Sequence, residues 1–163
     1  MKISKEELIT LCREGAMKLK CPPDVDGVKL LWALAGNESS FGANAVPLHE
    51  NAYCYRGKYF TKEVAELTRK HGCLAHCSYG PWQVLLINTK IAYDQPDPIA
   101  MHVNASYALV ATVEFINKRI FDSQGAKDLK QIADSYNSGN FRDTIIPTAY
   151  IDKLVKNYIE CPF

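Results

Sequence analysis

The chain has almost no net charge to work with. Its 19 lysines and arginines face 18 aspartates and glutamates, leaving +1 at neutral pH. That balance gives no electrostatic case for nucleic acid or an anionic surface as partner, and any polyanion would have to be held by local contacts. No run is long and apolar enough to cross a bilayer, so no membrane insertion is expected. The opening residues Met1-Lys2-Ile3-Ser4-Lys5-Glu6-Glu7-Leu8 are interrupted by acids where a secretory signal would have its apolar core. Synthesis in a cytoplasm is therefore the expectation. Internal repeats, low-complexity tracts and Gly/Ser linkers are also missing. One domain over 1–163, monomeric and with its own core, is the organisation expected of 163 residues that are 47% hydrophobic.

Cysteine is the one scarce residue type that is well represented. Cys12, Cys21, Cys54, Cys73, Cys77 and Cys161 make an even count. Without a secretory signal that count does not by itself imply disulfides. Cys54, Cys73, His76 and Cys77, with His71 nearby, have spacings that suit zinc, but no matching second pair completes a finger-like pattern. Reduced thiols, a disulfide and zinc all remain open for this group. No cofactor or metal is required by the chemistry argued next.

Helical signals dominate. Ser4 with Glu7 reads as a capping box opening a helix to about Leu19. Pro22-Pro23 ends it, and Asp24 or Asp26 caps the next helix, whose apolar stripe is Val28, Leu31, Trp32 and Ala35. Residues 42–60 are irregular, with a short hairpin or tight turn around Arg56-Gly57. Further helices are expected from Thr61 to His71, over one long apolar stretch from about Pro98 to Phe121, from Lys127 to about Tyr136, and from Thr148 to about Ile159. The class is mainly α, with a possible small β-hairpin in an inserted lobe at about 42–78.

Glu38 stands out. It continues the apolar stripe of its helix, three residues past Ala35 and seven past Leu31. A carboxylate on that side is costly unless paired, hydrogen-bonded or protonated. General acid catalysis is the chemistry that uses such a group, because partial burial raises its pKa toward the working pH. The alternative is a helix-end glutamate that swings into solvent.

Three later segments fall in order behind Glu38-Ser39-Ser40-Phe41. They are Gly80-Pro81-Trp82-Gln83, Ser135-Tyr136-Asn137-Ser138-Gly139 and Tyr150-x3-Leu154-x3-Tyr158. In that order the chain resembles the lytic transglycosylases with a soluble-transglycosylase-type catalytic domain, which belong with goose-type lysozyme in the lysozyme-like superfamily. The resemblance covers about residues 25–158. It departs from the family pattern in Pro81-Trp82, which stands where the family has Leu-Met, and in a longer connection from Glu38 to Gln83.

The resemblance implies a lysozyme-like helical fold and cleavage of the β-1,4 bond between N-acetylmuramic acid and N-acetylglucosamine in peptidoglycan strands. It implies Glu38 as the acid and then the base, and Tyr136 as the tyrosine whose hydroxyl orients it. Ser40, Gln83, Trp82, Asn137 and Tyr150 become substrate-binding candidates, with Trp82 able to stack on a sugar face or to plug the core. Asn137 could equally cap a helix ahead of Gly139. Tyr158 at its helical spacing reads as core, and Ser39 as structural. The alternatives are a hydrolytic muramidase of the same fold, with Glu50, Asp94 or Asp97 holding a water, and a catalytically inactive glycan-binding phage structural module. A phage lysis or virion enzyme acting on the cell wall is the setting these features suggest.

Overall fold

A computed structural model of the chain describes residues 1–143 and 146–163. It is mainly helical with one small antiparallel sheet, as expected from the sequence. Helix α1 (Lys5–Ala16) starts where Ser4 accepts the Glu7 N–H, and α2 (Gly27–Ser39) starts where Asp26 accepts the Val28 and Lys29 N–H groups. Both caps satisfy donors that a helix start leaves orphaned. Asp26, not Asp24, is thus the cap. Helix α3 (Lys62–His71) begins at a Thr61 cap.

The sheet is short. Strands β1 (Leu48–His49), β2 (Cys77–Tyr79) and β3 (Val84–Leu85) lie in that order. His49 faces Cys77 in one register and Tyr79 faces Val84 in the other. The hairpin is β2–β3, turning at 80–83, while the region around Arg56-Gly57 forms tight turns with Arg56 in a left-handed backbone (φ 69). Gly80 makes the hairpin turn possible: its φ is +75, and a Cβ there would sit 2.7 Å from the Ala108 Cβ.

The long helix expected over 98–121 is interrupted. Helix α4 (Pro98–Val103) ends at Asn104, whose side chain accepts the Tyr107 N–H and opens α5 (Ala105–Phe115). An asparagine that bonds forward in this way competes with helix continuation. Beyond α5 the chain widens into a π-helical turn over Ile116–Ser123. Asn117 in that turn is buried, and its amide bonds the Lys20 N–H and the Lys18 carbonyl, each at 2.9 Å. Helix α6 (Leu129–Ser138) begins at an Asp128 cap and stops at Gly139, which is left-handed (φ 90). Helix α7 (Thr148–Ile159) closes the chain.

The core gathers around α2. Leu30, Leu31, Ala33, Leu34 and Ala35 are fully buried there, against α1 and α7, and α5 packs in turn on α1. Gly36 lets the end of α2 pack tightly, because a Cβ would meet the Phe41 ring at 2.5 Å and the Asn157 amide at 2.7 Å. Among the described residues no helix is long and apolar enough to cross a membrane.

Trp82 belongs to this core. It is fully buried and its indole N–H donates to the Leu31 carbonyl at 2.9 Å. Trp82→Ala is expected to lower stability by about 3–5 kcal/mol, read as a shift of the urea midpoint. A loss under 1 kcal/mol would contradict this packing.

Candidate active site

Glu38 lies in the last turn of α2, partly buried, at the edge of a cleft of about 960 Å³. The backbone turns sharply after it. Ser40, Phe41 and Gly42 all have positive φ (52, 59 and 80). Two non-glycine residues in that region are a local cost that the surrounding contacts must outweigh. Ser39 supplies several of them. Its hydroxyl lies 2.7 Å from the Pro81 carbonyl and 3.1 Å from that of Ala35, and it accepts the Gly42 N–H. Ser39 is structural, as expected.

Helix α7 braces the other side. The Tyr150 hydroxyl donates to Glu38 Oε1 at 2.5 Å. Asn37 donates to the Tyr150 carbonyl, accepts from the Asn157 amide at 2.9 Å, and its carbonyl accepts from Lys153 Nζ at 3.0 Å. Tyr150, Lys153 and Asn157 are spaced by three and four, so one face of α7 meets Asn37-Glu38.

Electrostatics set the carboxyl. Burial pushes Glu38 up from the ordinary 4.5 to about 7, assisted by the nearby Glu50 charge and opposed by the Tyr150 hydrogen bond and the Lys153 charge. About half of the acid is therefore protonated at neutral pH, enough for a general acid whose pKa lies near the working pH. Burial also keeps Tyr136 and Tyr150 as neutral phenols, the neighbouring Glu38 charge adding to the effect.

The sequence candidates divide. Glu38, Gln83, Tyr136 and Asn137 line the cleft. Tyr136, expected to orient Glu38, instead donates its hydroxyl to the Trp82 carbonyl at 2.6 Å; the orienting contact is made by Tyr150. Tyr150 stands behind Glu38 and is not among the lining residues. Trp82 faces the core and has no free face for a sugar. Ser40 is exposed at the left-handed C-cap, outside the cleft lining, because the reversal after Ser39 carries it away. Gln83 has its amide committed: Nε2 donates to the Val46 and Gly80 carbonyls and Oε1 accepts from Ser78. It shapes the floor of the cleft.

Other residues enter the site unforeseen. Tyr53 and Tyr59 pair at 5.3 Å between ring centroids on one wall, and Phe115 and Arg119 line the cleft with them. Glu50, expected only as one of three acids able to hold a water, lines the same cleft as Glu38. Asp97 does not; it caps α4. Tyr158 donates no contact to the cleft, and its hydroxyl accepts the Asp26 N–H.

All six cysteines are free thiols. Burial pushes Cys12 up to about 12 and Cys21 up to about 11. Of the residues grouped by spacing, Cys54 and His76 converge, while Cys77 Sγ is directed at the Cys73 carbonyl (3.7 Å). The third member of the convergent group is His49, which the spacing did not suggest.

No family model, curated protein or solved structure matches the chain.

A pH dependence of stability follows from the raised carboxyl. The folded value lies above the unfolded one, so the folded state binds the extra proton between pH 4.5 and 7. Stability contributed at low pH is lost as pH rises through that window. Glu38→Gln, which cannot ionise, is expected to exceed the wild type by about 3 kcal/mol above pH 7 and by almost nothing below pH 4.5. Denaturant melts across pH check this, and a pH-independent difference would contradict it.

Proposed function

We propose that the protein is a peptidoglycan-degrading glycosidase with a lysozyme-like catalytic domain. It cleaves the β-1,4 bond between N-acetylmuramic acid and N-acetylglucosamine as a lytic transglycosylase. The observation that carries this reading is one carboxylic acid, raised to about 7 by burial and held by Tyr150, at the edge of a cleft large enough for sugar units. Aromatic faces from Tyr53, Tyr59 and Phe115 and amides from Asn88 and Asn137 supply the mixture of surfaces that pyranose rings bind. Arg119 adds a cation suited to the lactyl carboxylate of muramic acid.

Protonated Glu38 gives its proton to the glycosidic oxygen as the bond to the anomeric carbon breaks. The substrate's N-acetyl group stabilises the positive charge developing at that carbon, one of the exceptions to a two-carboxylate mechanism. Glu38, now ionised, takes the proton of the muramic acid 6-hydroxyl. That oxygen attacks the anomeric carbon and closes the 1,6-anhydro ring. Lys153 and the Tyr150 hydroxyl lower the cost of the ionised intermediate state, since both favour the carboxylate.

Glu50 supports a second reading. A carboxylate in the same cleft, close enough to raise Glu38, has the position of a base that activates water in a hydrolytic muramidase.

Mass spectrometry of digested sacculi separates the two. Anhydro-muropeptides, with Glu50→Gln still active, are expected, as is a rate that declines above about pH 7. Glu38→Gln should lose about 10²- to 10⁴-fold in rate. Reducing ends with an inactive Glu50→Gln would replace the first reading by the second. Clearance by Glu38→Gln at the wild-type rate would overturn both, because Glu38 would then not be the acid.

A further inference from the structure

One wall of the cleft is held by hydrogen bonds and ring contacts without a buried side chain of its own. No residue from Val46 to Glu63 is buried. Yet Glu50, Ala52, Tyr53 and Tyr59 from this stretch line the cleft. Strand β1 contributes only two paired residues, both exposed. The hydrophobic effect therefore does little to fix the wall, since it acts through apolar area removed from water.

Three side chains converge where this wall meets the sheet. His49 comes from β1, Cys54 from the turn that follows, and His76 from the residue before β2. Their candidate ligand atoms all lie within 4.8 Å of one another, the one such group among the described residues. Cys54 Sγ is 3.5 Å from His49 Nε2 and 3.5 Å from His76 Nδ1. A tetrahedral zinc ion with bonds of about 2.3 Å to sulfur and about 2.0–2.1 Å to nitrogen spaces its sulfur and nitrogen ligands by about 3.5 Å. Both observed sulfur–nitrogen separations match that spacing, and the two imidazole nitrogens lie within 4.8 Å of each other.

Thr68 fixes the tautomer of His76. Its hydroxyl hydrogen is used on the Val64 carbonyl, at 2.7 Å, so its oxygen is left to accept from His76 Nε2 at 2.9 Å. The ring hydrogen of neutral His76 then resides on Nε2, and the Nδ1 lone pair faces Cys54. A ligating histidine held by a hydrogen bond from its other nitrogen is the usual arrangement around a protein metal. One thiolate with two imidazoles selects zinc over magnesium or calcium, which prefer oxygen ligands. Three protein ligands leave a fourth position for water.

We propose that His49 Nε2, Cys54 Sγ and His76 Nδ1 bind one zinc ion, which ties the Glu50-bearing wall of the cleft to the sheet. Binding forms one Zn–S and two Zn–N bonds and releases the Cys54 thiol proton to solvent, with no change of oxidation state. The site stands on geometry independent of the glycosidase reading. It also departs from the sequence expectation, which required no metal and grouped Cys54 and His76 with Cys73 and Cys77.

Metal analysis and cobalt substitution of the purified full-length protein test it. One equivalent of zinc is expected. Cobalt(II) in its place should show thiolate charge-transfer absorption and the intense visible bands of a four-coordinate ion. Cys54→Ser and His76→Ala should abolish the signal, while Cys73→Ser should leave it intact. Thr68→Val, which keeps all three ligands, should weaken zinc about 10- to 100-fold. A protein that takes up neither metal is a thiol-centred hydrogen-bond cluster, and the proposal falls. It falls equally if Cys73→Ser abolishes the cobalt spectrum or Thr68→Val leaves the affinity unchanged.

Discussion

The desolvation of one carboxyl group, at the point where α2 ends against α7, is the constraint on which the rest of the site depends. Glu38 is raised to about 7 because burial outweighs the two groups that favour its ionisation, Tyr150 and Lys153. That outcome requires α7 to lie close, and Gly36 permits the approach. Asn37 then locks it with three hydrogen bonds to α7. The same helix thus dries the acid and supplies the hydroxyl that holds it. A strained reversal over Ser40–Gly42 follows immediately, so the acid occupies the last regular turn before the chain leaves the helix.

A second constraint supports the first. The 80–83 turn, which floors the cleft, is held from three directions. Ser39 reaches the Pro81 carbonyl, Trp82 reaches the Leu31 carbonyl, and Tyr136 reaches the Trp82 carbonyl. Bonds from α2 and α6 therefore converge on one short turn. Trp82 and Tyr136 act on the site by fixing this floor. The Trp82 ring is buried in the core, while Tyr53, Tyr59, Phe115 and Tyr136 line the cleft. The wall that bears Tyr53 and Tyr59 lacks a buried residue of its own, and there the converging His49, Cys54 and His76 stand in for a core.

Much of the frame was legible in the sequence because its signals are local. Ser4, Asp26 and Thr61 each sit within three residues of the N–H they cap. Glu38 was legible for the same reason, as a polar residue on an apolar stripe. Asn104 carries an equally local signal, a capping asparagine inside an apolar run, and the helix breaks there despite the hydrophobicity around it. The strands were not legible, because elements of two or three residues are too short to display an alternating period. The partners of Glu38 were not legible either. Tyr150 is 112 residues away in the chain, and only the fold decides whether it or Tyr136 reaches the acid. Residue type placed Trp82 at a sugar face and in the core with equal force, and packing decided for the core. His49 joins Cys54 and His76 only through the pairing of β1 with β2.

The central claim is that this fold raises the pKa of a carboxylic acid to near neutrality. A carbon-13 NMR titration of the Glu38 carboxyl, assigned by comparison with Glu38→Gln, measures it directly. The account predicts a midpoint at about 7. A midpoint near the ordinary glutamate value of about 4.3 would contradict it, because a group that ionises there is solvated and cannot deliver a proton to a glycosidic oxygen at neutral pH.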